Sequence, residues 1–189
     1  MAGDQVQPAA GRTIAWLLAA LLLWSAAPRF WLITVEPHAG RLWDERFTVA
    51  NVASILERGP FRPQNYWYGS LSYLPQVAAV AAAESARDAL DGVVPALRTP
   101  DGWGFTSAGY VLSRAFQAVY GLLSIALTYL LGRRLFSAGV GLGGAFILAA
   151  SPRHVHSSSV LKPDILLALL TLAAFLGIVA AIRRLEPRP

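Results

Sequence analysis

The sequence predicts an all-α, polytopic membrane bundle of about four transmembrane helices, with interfacial helices in its first outer loop. Three observations predict it. Of the 189 residues, 55% are hydrophobic and only 14% are charged, whereas soluble domains carry about 25% charged residues. The apolar residues gather in long runs, each near the roughly 20 residues that a span requires. The arginines stand at the ends of those runs rather than on one exposed face, which suits basic cytoplasmic loops and argues against nucleic acid as a partner despite a net charge of +5. With no cysteine in the chain, a disulfide framework is excluded.

The first 13 residues are expected to form a cytoplasmic N-terminus. The first span is expected over Ile14–Val35, after Arg12, with Pro28 and Arg29 interrupting its last third and Trp16, Trp24 and Trp31 marking it as lipid-facing or interfacial. A cleaved signal peptide ending at Ser25-Ala26-Ala27 is the rival reading. It is disfavoured by Pro28 directly after the cut and by the apolar run Phe30–Val35 beyond it. Residues 36–106 then form an outer loop. Within it, Phe47, Val49, Val52, Ile55 and Leu56 recur at helical spacing over Asp44–Arg58, and Gly59-Pro60 stops the pattern. A second helix is expected over Leu71–Leu90, after an aromatic turn over residues 61–69, and residues 92–104 return irregularly to the membrane.

The second span is expected over Ser107–Leu131, closing on Gly132-Arg133-Arg134. The third, over residues 135–152, is short and glycine-rich, a composition that lets helices approach closely. An outer hairpin at 153–163 leads to the fourth, Asp164–Ile182, and a basic tail at 183–189. Four spans put Arg12, Arg133, Arg134, Arg183, Arg184 and Arg188 on one side, which the positive-inside rule makes the cytoplasm. The N-terminus is therefore expected inside, and the first loop and the hairpin outside.

Four groups of residues could carry chemistry. Asp44-Glu45 could supply a general base or oxygen ligands for a divalent cation; a helix N-cap with a solvated neighbour is the structural alternative. Arg29 and Arg114 lie near the outer ends of apolar helices, where a cation is costly and a guanidinium suits phosphate. Snorkelling, or pairing with Asp44 or Glu45, is the alternative for each. In the hairpin, His154 and His156 could ligate a metal, and Asp164 could be a second acid or an N-cap. Tyr66, Trp67, Tyr68 and Tyr73 could line a lipid or sugar pocket or serve as interfacial aromatics.

In order, these features resemble the N-terminal part of the GT-C membrane glycosyltransferases, closest to the protein mannosyltransferase and aminoarabinose transferase-like branch called glycosyltransferase family 39. The resemblance rests on Arg29 ending the first span, Asp44-Glu45 entering an amphipathic helix, the aromatic segment from Asn65 to Pro75, the span carrying Arg114 and Gly121, Gly132-Arg133-Arg134-Leu135-Phe136, Ser151-Pro152 and Pro163-Asp164. It implies transfer of a sugar from a polyprenyl-phosphate donor at the outer membrane face. It implies Asp44 as the base or as the group that orients the acceptor, with Glu45 and Asp164 as further acids. It also implies Arg114, then Arg29 and Lys162, on the donor phosphate. Metal dependence varies across that superfamily, so a divalent metal cofactor stays open. A bacterial cytoplasmic membrane is the expected location. Because such enzymes carry more spans, a four-span chain is expected to work as a truncated module needing partner helices. The competing functional reading is a non-catalytic subunit descended from the module, packing as a scaffold in a larger membrane complex.

Overall fold

The computed structural model describes residues 7–35, 43–59, 62–64, 72–85 and 107–185. These residues form helices and no strands: α1 (Gln7–Val35), α2 (Trp43–Arg58), α3 (Leu74–Ser85), α4 (Ser107–Leu135), α5 (Ala138–Ala150), α6 (Pro152–Ser157) and α7 (Asp164–Leu185). Three helices are long and apolar enough to cross a membrane, over Gly11–Thr34, Gly109–Leu135 and Asp164–Leu185. The protein is an integral membrane protein built as a helical bundle.

The expected third span is the exception. α5 has 13 residues, or about 20 Å at 1.5 Å per residue, short of a hydrocarbon core of about 30 Å. It is bounded by serines at both ends. Ser137 Oγ accepts from the Val140 N–H at its start, and Ser151 ends it while its Oγ accepts from the His154 N–H to open α6. Pro152, at the first position of α6, cannot donate to a preceding turn, so the chain breaks at Ser151 and restarts as a new helix. α1, by contrast, continues through Pro28, where the missing N–H leaves the Trp24 carbonyl without its usual helix donor.

Two hydrophobic cores result. Ile125 and Tyr129 of α4 pack with Ala145 and Ala149 of α5, with Ile14, Leu18, Leu21 and Leu22 of α1 against them. Small residues permit this approach. A Cβ on Gly141 would lie 2.4 Å from the Tyr129 carbonyl oxygen, and one on Gly132 would lie 2.7 Å from the Gly141 Cα. The second core gathers Val49, Val52 and Ile55 of α2, Tyr73, Val80 of α3, Tyr110 at the start of α4, and Leu161. The helical period read over Asp44–Arg58 is the buried face of α2, except that Phe47 is half-buried and Leu56 is exposed. The second loop helix is shorter than its expected bounds among the described residues, and residues 92–104 lie outside them.

Arg183, in the last turn of α7, donates to the carbonyl of Arg134 in the last turn of α4. The two arginine-bearing helix ends therefore share one end of the bundle, while Arg29, Glu45 and the 151–163 segment meet at the other.

Candidate functional site

The site is built on ties from α1 and α2 to the segment between α6 and α7. Glu45, in the first turn of α2, is buried. Arg114, one turn and more into α4, donates from Nε to Glu45 Oε1 at 3.1 Å and from Nη2 to Oε2 at 3.0 Å. This is the bidentate fork that gives arginine–carboxylate pairs their geometric specificity. The Leu161 N–H donates to the same Oε1 at 3.0 Å. Thr48, one turn along α2, donates from Oγ1 to the Leu161 carbonyl at 3.3 Å. One residue, Leu161, is thus held by both of its backbone polar groups. We refer to Glu45, Arg114 and Leu161 as the clamp.

Arg29 is the second buried guanidinium, fully enclosed. Its Nε donates to Ser158 Oγ at 2.9 Å, its Nη1 to the Ser25 carbonyl at 2.6 Å and to Ser25 Oγ, and its Nη2 to His154 Nδ1 at 2.7 Å. Among the described residues no carboxylate pairs with it. Because a guanidinium only donates, His154 Nδ1 must be the lone-pair nitrogen, and the neutral ring carries its proton on Nε2. The imidazole is pushed down from 6.5 to about 4, first by burial and then by the positive charge of Arg29. Gly121 makes the arrangement possible. A Cβ there would lie 2.5 Å from Ser158 Cβ and 3.4 Å from Arg29 Nε.

The expected site residues therefore divide. Glu45 and Arg114 are brought together, with Lys162 next to Leu161 in the chain. Asp44 is the neighbour of Glu45 on α2, and its side chain lies outside the described residues, as do Tyr66, Trp67 and Tyr68. Tyr73 is a core residue whose hydroxyl accepts from Asn51 Nδ2 at 3.1 Å. Asp164 is exposed at the start of α7 and His156 is exposed on α6. No group of three or more His, Asp or Glu side chains able to hold a metal ion occurs among the described residues. Of the expected ligands, Glu45 is occupied by three N–H donors and His154 Nδ1 by Arg29.

Ser25, Ser158 and Gly121 enter the site without having been singled out for it. Ser25 had a readable signal: it stands four residues before Arg29, on the same helix face. Ser158 had none, being one of three consecutive serines.

A family model described as dolichyl-phosphate-mannose-protein mannosyltransferase matches residues 77–187, more than half of the chain. The chain belongs to this family. No curated protein and no solved structure matches it. The mannosyltransferase match includes α4 with Arg114, the α6 segment and α7, and it begins after Asp44-Glu45. The acid pair is therefore joined to the family region by the clamp itself: Glu45 reaches Arg114 and Leu161, both inside the matched stretch. A membrane glycosyltransferase module is what this membership establishes.

Proposed function

We propose that the chain carries the acceptor-activating part of a glycosyltransferase site at the outer membrane face, with a polyprenyl-phosphate sugar as donor. In this reading Asp44 takes the proton from an acceptor hydroxyl. The acceptor oxygen then bonds to the sugar's anomeric carbon as the bond from that carbon to the phosphate oxygen breaks, and the lipid phosphate leaves. A base must lie within hydrogen-bond reach of the proton that it removes, and a departing phosphate is stabilised by a nearby fixed cation. Lys162 is the cation assigned to the phosphate.

The observation that carries this reading is the clamp. With its carboxylate engaged by Arg114 and by the Leu161 N–H, Glu45 serves as an anchor. Consecutive Cα atoms are about 3.8 Å apart, so anchoring residue 45 to residue 161 also fixes the backbone of Asp44 and Lys162 on either side of one contact. Arg114 belongs to that anchor. Arg29, enclosed by neutral acceptors, adds positive potential behind the segment. The arginine pairs at the shared end of α4 and α7 favour that end as cytoplasmic, which leaves the clamp outside and supports an outward-facing site. The test is sugar transfer from a polyprenyl-phosphate donor in membranes carrying the protein together with whatever helices complete its site. Asp44→Asn should reduce transfer at least a hundredfold, the low end for losing a general base, while insertion is unchanged. Wild-type transfer by that variant would refute the assignment.

A further inference from the structure

A cavity of about 720 Å³ opens between α4, α5 and α7, and no residue of α2 lines it. Its volume falls within the roughly 300–1,000 Å³ of ligand pockets. Ile147, Leu148, Leu167 and Leu172 supply an apolar wall, and Ser151 and His154 stand at its hairpin end. The hydroxyls along the wall donate to their own helices: Ser124 to the Tyr120 carbonyl, Thr128 to Ser124 and Thr171 to Leu167, each at 2.8 Å. Ser151 Oγ is an acceptor for the His154 N–H. His154 Nε2 differs from all of these, because it is buried and has no partner.

Three facts converge on one class of occupant. The cavity lies between two helices long enough to span the bilayer and one apolar helix, so hydrocarbon is the medium that meets its opening. Its wall offers methyl and methylene groups, which suits an acyl chain. At its hairpin end the imidazole carries an N–H, and its other nitrogen accepts from Arg29, a buried cation without a carboxylate among the described residues. Donation from Arg29 polarises the ring and strengthens Nε2–H as a donor, and the uncompensated charge behind it favours an anionic acceptor.

We propose that this cavity holds one acyl chain of an anionic phospholipid, with a phosphate oxygen of its headgroup accepting the His154 Nε2–H. The site is separate from the transfer site proposed above, and its occupant is a bound lipid that is not consumed.

The experiment is native mass spectrometry of the purified protein with phosphatidylglycerol and with phosphatidylcholine of identical chains. It is paired with mapping of a phosphatidylglycerol whose chain carries a photoactivatable diazirine. Phosphatidylglycerol should be retained about fivefold or more over phosphatidylcholine, which offers the same phosphate oxygen but sets a quaternary ammonium near the uncompensated Arg29 charge, and crosslinks should fall on residues 147–148 and 167–172. His154→Leu should remove the preference. Ala168→Trp, which fills the cavity and leaves Arg29 and His154 untouched, should reduce retention of phosphatidylglycerol and decides the matter if His154→Leu does not fold. Equal retention of the two lipids overturns the proposal, as does a preference that survives either variant. So do crosslinks spread over Phe175, Ile178 and Ile182, and crosslinks from the cavity to a protein helix in place of lipid.

Discussion

Two arginines lie buried near the same end of the bundle, and their surroundings are opposite. Arg114 meets a carboxylate in a bidentate pair that also binds the Leu161 N–H. Arg29 meets a serine carbonyl, two serine hydroxyls and an imidazole, all neutral. The first arrangement cancels charge and fixes three elements to one another. The second leaves a positive charge enclosed by dipoles, which makes that region the electropositive side of the segment. In sequence the two residues look alike, each an arginine toward the outer end of an apolar run. Only the partner chemistry separates an anchor from a source of field.

The largest expected effect is on the anchor. Arg114→Met leaves the Glu45 carboxylate buried without its counter-ion and should cost about 3–5 kcal/mol, read as a lowered unfolding midpoint in detergent. Adding Glu45→Met should recover part of that loss. The double variant leaves the Leu161 N–H without its Glu45 acceptor, at about 1–3 kcal/mol, so the two substitutions should be strongly non-additive. Additive losses would mean that the pair does not act as a unit.

Arg29→Met should be milder, about 1–3 kcal/mol. It leaves neutral acceptors unpaired and at the same time removes an enclosed cation. If Arg29→Met proves costlier than Arg114→Met, the contrast between the two regions is wrong. Gly121→Ala tests the packing that lets Arg29 reach Ser158. Its new Cβ would meet Ser158 Cβ at 2.5 Å, an overpacking that should cost about 1–3 kcal/mol without disturbing the Arg114 pair.

The last effect is the dependence on pH. His154 is lowered from 6.5 to about 4 in the folded protein, so below pH 6.5 the unfolded chain binds a proton that the folded chain refuses. Stability should therefore be flat in this group above about pH 6.5, fall as pH drops toward 4, and level off below. His154→Gln, which retains an acceptor for Arg29, should flatten the slope when unfolding is followed across that window.

Much of the fold was legible. Long apolar runs located α1, α4 and α7, and helical periodicity located the buried face of α2, because burial in lipid and burial in a small core each leave a repeat in the chain. The short length of the third apolar run also gave warning of α5. Its break was hinted at by Ser151-Pro152, where a missing N–H and a capping hydroxyl act together. The site was less legible. The pairing of Glu45 with Arg114 was one of several options open to each residue, and choosing among them required knowing which helices come together. The enclosure of Arg29 by Ser158 could not be read at all, since it depends on Gly121 leaving room at one point on α4. Tyr73 shows the same limit from the other side: its aromatic segment did not reveal that it is buried in the core beside Asn51.

The central claim is that adjacent acids have different tasks, Glu45 as anchor and Asp44 as reactive group. The most direct measurement compares the unfolding midpoints of Glu45→Gln and Asp44→Asn in detergent. Glu45→Gln takes the carboxylate out of the bidentate Arg114 pair, and its midpoint should fall by about 6 °C or more. With Asp44 assigned as the reactive group, Asp44→Asn gives up a favourable charge in the first turn of α2, and its midpoint should move by about 4 °C at most. Equal shifts for the two variants, or a larger shift for Asp44→Asn, would contradict the account.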